Sequence, residues 1–395
     1  MRTGLRRNCA TSLNVLSIGG EFVAHSSNLL SEDQMFYSRR DFLAVAFGGA
    51  LLGSLRARAA ADFLDVRMHI DVHMHVIGRS QEQFDQAVAR AVGEMDTYGI
   101  AQAVVFPPPI PILGRFDYQD YAPALRRHPG RFGFLGGGGT LNPIIQAHRD
   151  PQTLTSAVRQ AFADQATRML DDGAAGFGEM TALHLSLVPN HPFEQVSITH
   201  PLFLLLTEIA AEHQAVIDLH MDAVTGTSMA TPSNLKVPPN PPTLQGNIDD
   251  FERLLAHDRD AKIVWAHGGS DFTGNMTPAL IGDLMDRHSN LFMSLRPLPL
   301  RAVNNPFGLR FFNLMLTPDG VEPAWLELLT RHSDRFTMGA DTFMLAPSVD
   351  PTRPAVTLSR GNQGRLIAAS ILLSRLPASL ATEIGTENAV RLYRL

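Results

Sequence analysis

Five short segments of this sequence carry side chains that either ligate a metal ion or move protons. They are Asp71-Val72-His73-Met74-His75, Gly178-Glu179, Asp218-Leu219-His220, Ala266-His267-Gly268-Gly269 and Gly339-Ala340-Asp341. The one cysteine, Cys9, lies near the N-terminus, so disulfides and thiolate ligands are excluded from the folded body. Any metal here must be held by histidines and carboxylates. No segment decides the matter alone, because fifteen histidines in 395 positions leave about 0.6 His-x-His pairs to chance. The informative feature is where the five segments fall.

These side chains need elements that bring them together. From Met68 onward, short β-like runs alternate with amphipathic helical stretches. The predicted strands are Met68–His73, Ala103–Phe106, Phe132–Leu135, Ala174–Glu179, Ala215–His220, Lys262–His267, Leu291–Leu295 and Phe336–Asp341. The predicted helices between them are Gln81–Tyr98, Asp120–His128, Pro151–Asp172, Leu202–His213, Ile248–His257, Pro278–His288 and Glu322–His332, with a last one over Gly364–Leu376. Eight strand–helix alternations are what a closed parallel barrel requires, so the predicted fold is α/β, a single (β/α)8 TIM barrel. An open doubly wound sheet is the competing architecture. Against it, His73-Met74-His75-Val76 stands where a Gly-rich phosphate loop would follow the first strand.

Active sites of such barrels lie at the C-terminal ends of the strands, where the βα loops converge. Five of the eight predicted strands end in the His or carboxylate segments above, and this clustering is the core of the functional argument. Side chains alternate between the two faces of a strand. That alternation puts Asp71, His73 and His75 on one face and Met68, Ile70, Val72 and Met74 on the other. It likewise puts Val216, Asp218 and His220 opposite Ile217 and Leu219, and Gly339 with Asp341 opposite Phe336, Met338 and Ala340.

The composition is that of a globular chain, with 45% hydrophobic and 18% charged residues. A net charge of −6 without long basic runs argues against a nucleic-acid partner. Ser38-Arg39-Arg40-Asp41-Phe42-Leu43 precedes the apolar run Leu43–Leu55 and the small-residue stretch Ala57–Ala61, the three parts of an export signal in order. That run is too short to span a bilayer, which needs about 20 residues. The hexapeptide resembles the twin-arginine signal. Residues 1–59 are therefore read as leader and signal peptide, with Met35 as the expected translation start, and residues 60–395 as the barrel. The expected location is periplasmic, with the twin-arginine translocase as partner during export and no membrane anchor after cleavage.

The order His-x-His, Glu, His, His, Asp resembles the amidohydrolase superfamily. The segments Ile70–His75, Val264–Gly269 and Gly339–Phe343, with the closing stretch Ile384–Leu392, are most similar to its amidohydrolase-related (amidohydrolase 2) branch of metal-dependent hydrolases and decarboxylases. The resemblance covers essentially the whole mature chain. It implies metal ligands at His73, His75, His220 and Asp341, and His267 as a second ligand or a polarising group beside the bound water. Asp341 would also take the proton of that water. Glu179 would either bridge two metals or play a structural part. Such ligands suit Zn2+ first and accommodate Mn2+, Fe2+ or Co2+, with one or two ions. The implied reaction is hydrolysis of an amide, lactone or ester bond of a small molecule by metal-bound hydroxide.

Two other readings stay open on the sequence. One is non-oxidative decarboxylation of a small carboxylic acid, which an arginine clamp on the substrate would favour, and Arg296 is the candidate. The other is a periplasmic binding protein without catalysis, disfavoured because His267 and Asp341 are both present. His184, His191 and Asp222 are candidate lining residues. Trp265 and Phe343 are expected to pack.

Overall fold

The computed structural model describes residues 68–109, 116–187, 191–236, 238–299, 309–349 and 354–395. The leader, its twin-arginine segment and Met35 lie outside the described residues. The described strands are β1 His69–Ile77, β2 Ile100–Val105, β3 Phe132–Phe134, β4 Gly136–Gly137, β5 Gly176–His184, β6 Glu194–Gln195, β7 Val216–Met221, β8 Ser228–Ala230, β9 Thr243–Gln245, β10 Lys262–Gly268, β11 Leu291–Leu295, β12 Phe336–Met338 and β13 Thr342–Leu345. Eleven of them form one sheet along the path β3-β2-β1-β12-β11-β10-β7-β5-β4, with β13 beside β1 and β6 beside β5. Apart from the β5–β6 pair, the ladders of this sheet are parallel.

The two ends of that path belong to one extended segment. β3 and β4 are separated by Leu135 alone, whose N–H bonds to Val105 O at 3.0 Å. The first half pairs with β2 (Ala103 beside Phe132) and the second with β5 (Gly136 beside Phe177). The sheet thus closes on itself as an eight-position (β/α)8 barrel, the fold expected from the sequence. All eight predicted strands are present. The eighth is split into β12 and β13, and the first and fourth run beyond their predicted ends.

The helices follow from the same chemistry. Gln81–Tyr98 starts on Ser80, whose side chain accepts the Gln83 N–H, and stops at Gly99, at φ 69°. Phe84, Ala87, Val88, Ala91 and Met95 form its buried stripe at helical spacing. Leu141–Ala147 is a helix the sequence reading left out. Among the described residues, no helix is long and apolar enough to cross a membrane.

Alternation along β7 and β12 is as expected: Val216 belongs to the apolar cluster inside the barrel, whereas Ile217, Leu219, Phe336, Met338 and Ala340 belong to the cluster between sheet and helices. Along β1 it is not. The register against β2 shifts between Asp71 and Met74, and the strand changes phase there. Ile70 and Val72 lie in the inner cluster with Val104, Leu135 and Val264, while Met74 and Val76 lie in the outer one. Asp71 and His73 are therefore not consecutive members of one uniform alternation. The Asp71 carboxylate instead accepts the backbone N–H groups of His73 and Ala340, at 3.1 and 2.9 Å.

The bottom of the barrel is closed by the C-terminal helix Asn388–Tyr393. Asn388 donates to Ser333 O and Phe336 O where β12 begins, and Arg394 donates to His213 O and Gln214 O just before β7. A Cβ on Gly133 would meet Leu395 at 2.6 Å, so that glycine makes room for the last side chain. Ala389, Leu392 and Tyr393 complete the inner cluster from below.

Candidate metal centre

Glu179 stands in the middle of β5, 2% exposed, between two pairs of histidines. Its Oε1 lies 2.6 Å from His220 Nδ1 and 3.2 Å from His267 Nε2. Its Oε2 lies 3.5 Å from His75 Nε2 and 3.7 Å from His73 Nε2. One carboxylate thus offers one oxygen to each pair. Two donor sets result, His73 with His75 and Glu179, and Glu179 with His220 and His267, each with its donor atoms within 4.8 Å of one another. Asp341 joins the first set, its Oδ1 being 3.2 Å from His75 Nε2 and 3.8 Å from His73 Nε2. The structure brings together all six of the residues expected to ligate or handle protons.

The donors fit a divalent cation. His75 Nδ1 faces Phe106 O at 2.9 Å, which makes it the protonated nitrogen and leaves the Nε2 lone pair free. Buried polar atoms are nearly always hydrogen-bonded. Yet His75 Nε2 and both ring nitrogens of His73 are buried with no hydrogen-bond partner among the described residues. Of these, His73 Nε2 and His75 Nε2 converge on one oxygen of Glu179, as metal ligation requires.

The charges are strongly coupled. Burial pushes Glu179 up, but His73 and hydrogen bonds from His220 and His267 outweigh it and hold its carboxyl well below the usual range. Burial opposes charge on His73, while Asp218 and Glu179 lift it well above the usual imidazole value. His220 is pushed up to about 9, because Asp222 and Glu179 outweigh burial. His267 is the opposite case: burial and then Arg296 hold it far down, as a neutral ring.

Backbone conformation aims two of these side chains. His267 has φ 74° and Asp341 φ 54°, the left-handed region that non-glycine residues seldom adopt. Asp341 occupies the break between β12 and β13 rather than continuing a strand. Its Oδ2 is paired with Arg296 and lies 3.2 Å from Arg365 Nη1, which also bonds its backbone carbonyl. Burial would raise this carboxyl; Arg296, His75, His267 and Arg365 together hold it well below the usual range.

Arg296, expected to meet a substrate carboxylate, is 7% exposed and engaged by Asp341 and by Ser270 Oγ at 2.5 Å. The His184 ring lies 4.6 Å from that of His220, and His191 lies 4.5 Å from His184. Asp222 Oδ2 is 3.9 Å from His220 Nε2 and accepts the Leu185 N–H. Trp265 packs on Phe251 and donates to Met221 O, and Phe343 stacks at a tilt beside His75. A cavity lined by His220, Asp222, His267, Ser270 and Phe272 opens beside the second pair. Arg365 was not foreseen. A charged residue on the same helical face as the buried Ala369 and Leu372 was the signal available.

No family model and no curated protein matches the chain. Among solved structures it is similar to a dihydroorotase from Campylobacter jejuni, at 13% identity and TM-score 0.44, over 84% of each chain. It is also similar to a dihydroxybenzoic acid decarboxylase from Polaromonas with bound manganese (11%, TM-score 0.44, 83% of this chain and 97% of that one). An amidohydrolase 2 from Bifidobacterium longum gives 12%, TM-score 0.40, and coverage of 82% and 98%. Likeness this loose assigns no residue.

Proposed function

We propose that this chain is a metal-dependent hydrolase of the amidohydrolase type, cleaving an amide, lactone or ester bond in a small molecule. The observation that carries this reading is Glu179, with one oxygen facing His73 and His75 and the other facing His220 and His267. A shared carboxylate between two imidazole pairs supports a two-ion site, with Asp341 completing the first set. Zn2+ is the first choice of ion. Bound there, divalent cations would supply Lewis acidity toward the scissile carbonyl and lower the pKa of water.

The chain's own groups have separate tasks. His75 and Glu179 are buried and held by neighbours, so the donor geometry is set before substrate arrives. Arg296 and Arg365 occupy Asp341 Oδ2 and leave Oδ1 facing the centre. The Asp341 carboxyl is held well below the usual range by Arg296 and its other neighbours, so Oδ1 is available to accept a proton from water. Its low proton affinity favours passing that proton on to the leaving nitrogen or oxygen. The engagement of Arg296 by Asp341 and Ser270 favours hydrolysis over a decarboxylase reading built on an Arg296–substrate clamp.

Metal analysis with a panel of esters, lactones and amides tests this. Two ions per chain and turnover are expected of the wild type. The double variant His73→Ala, His75→Ala should show lowered metal content and no turnover while keeping its circular dichroism. Full metal retention by that variant would remove the reading. We also propose export through the twin-arginine route: replacing Arg39 and Arg40 by Lys should leave precursor in the cytoplasm, and unchanged export would overturn it.

A further inference from the structure

We propose that Asp218 is a positioning residue for His73, keeping the ring proton on Nδ1 and leaving Nε2 to face Glu179 and Asp341. The inference rests on the metal-dependent reading above. Both residues are fully buried. His73 Nδ1 lies 3.5 Å from Asp218 Oδ2, while Nε2 lies 3.7 Å from Glu179 Oε2 and 3.8 Å from Asp341 Oδ1. The two nitrogens therefore face different partners, one toward Asp218 and one toward the candidate ligands. Among the described residues, neither Asp218 oxygen and neither His73 nitrogen has a hydrogen-bond partner. A buried carboxylate left unpaired is strongly unfavourable, and a proton on His73 Nδ1, 3.5 Å from Asp218 Oδ2, offsets that cost.

Glycines leave room beside both residues. A Cβ on Gly178 would stand 2.8 Å from Leu135 Cδ1 and 3.0 Å from Asp218 Cβ, and one on Gly339 would stand 2.9 Å from Ser294 Cβ and 3.0 Å from His73 Cβ. Gly178 directly precedes Glu179, and Gly339 lies two residues before Asp341. The space for the pair is cut from the same segments that carry the candidate ligands. Asp218 reaches it because it precedes His220 by two residues on β7 and shares its inward face. His75 shows the other way to the same end, with its Nδ1 proton held by the Phe106 carbonyl at 2.9 Å. The two β1 histidines would then both present Nε2, one oriented by a backbone carbonyl and the other by a carboxylate. A carboxylate partner raises the basicity of a ligating imidazole as well as fixing its tautomer.

Two variants and two readouts test the proposal. Zn2+ affinity, measured by chelator competition, should fall about 10–100-fold in Asp218→Ala and less in Asp218→Asn, which keeps one accepting oxygen. In Zn2+-loaded wild type, long-range 1H–15N spectra should show His73 protonated on Nδ1, and that resonance should move in both variants while the His75 resonance stays. Zn2+ affinity within threefold of wild type in both variants, or a His73 signal unmoved by the loss of Asp218, overturns the assignment. If Asp218→Ala does not fold, the near-isosteric Asp218→Asn decides. If the wild type retains no Zn2+, the metal-dependent reading itself fails. The Asp218–His73 contact is then judged alone, by whether the His73 Nδ1–H resonance of the metal-free protein moves in Asp218→Asn.

Discussion

Replacing Glu179 by Gln preserves side-chain shape and one carbonyl oxygen but removes the negative charge shared by two histidine pairs. The four imidazole nitrogens lie 2.6 to 3.7 Å from its two oxygens, so a cation ligated by either pair feels the whole charge. A unit pair at about 4 Å with an effective dielectric of about 20 is worth about 4 kcal/mol. That corresponds to about a thousandfold in affinity. The amide also turns an N–H donor toward one pair, where it competes with the cation for the imidazole lone pairs. Metal content after dialysis against buffered Zn2+ should drop from two ions per chain to one or none, and calorimetric titration should show the lost affinity. Circular dichroism should be unchanged, because the two apolar clusters of the barrel do not depend on this carboxylate. If Glu179→Gln binds two ions within threefold of wild-type affinity, Glu179 is a bystander and the reading of it as the shared ligand is wrong.

Asp341→Asn should retain most of its metal yet lose roughly 10²–10⁴-fold in kcat, the usual worth of a positioned base; turnover within a fewfold of wild type would exclude Asp341 as the proton acceptor. Metal affinity should rise with pH between 7 and 9. His220, raised to about 9, and His73, raised well above its ordinary value by Asp218 and Glu179, carry protons in the metal-free protein that a cation must displace. The sign follows from the raised folded-state values: the protonated pair stabilises the metal-free protein at neutral pH, and that advantage is lost as pH rises through about 9. Each displaced proton is worth about tenfold in affinity per pH unit, and calorimetry in buffers of different ionisation heat would expose a pH-independent affinity if the reasoning fails. Tyr393→Phe removes a hydroxyl that is buried without a partner among the described residues, so chemical denaturation should show no loss of stability, or a gain of about 1 kcal/mol. A loss above about 1 kcal/mol would mean that the hydroxyl is bonded after all.

Much of this protein is written locally. The eight strands and the helices between them follow from apolar periodicity, capping residues such as Ser80 and stops such as Gly99, all of which act over a few neighbours. The candidate ligands could be picked out as neighbours for the same reason: strand ends in a parallel barrel converge, so a His or carboxylate at each is a statement about one place. Alternation on β7 correctly put Asp218 beneath His220, because that strand keeps its register. On β1 the same rule failed. A shift of register between Asp71 and Met74 depends on how β2 is paired, and no property of β1 alone encodes it.

What only the tertiary structure decided are relations between residues far apart in the chain. Gly339 leaves room for His73 and Ser294, which come from two other strands. Arg296 meets Asp341, and Arg365 arrives from a helix 24 residues further on. The C-terminal helix closes the barrel floor with Tyr393. Glu179 could be read from the sequence as a bridge or as a structural carboxylate with equal physical justice. Its place between two histidine pairs is set by the closure of eight strands around a common axis, and sequence spacing carries no information about distances across that axis.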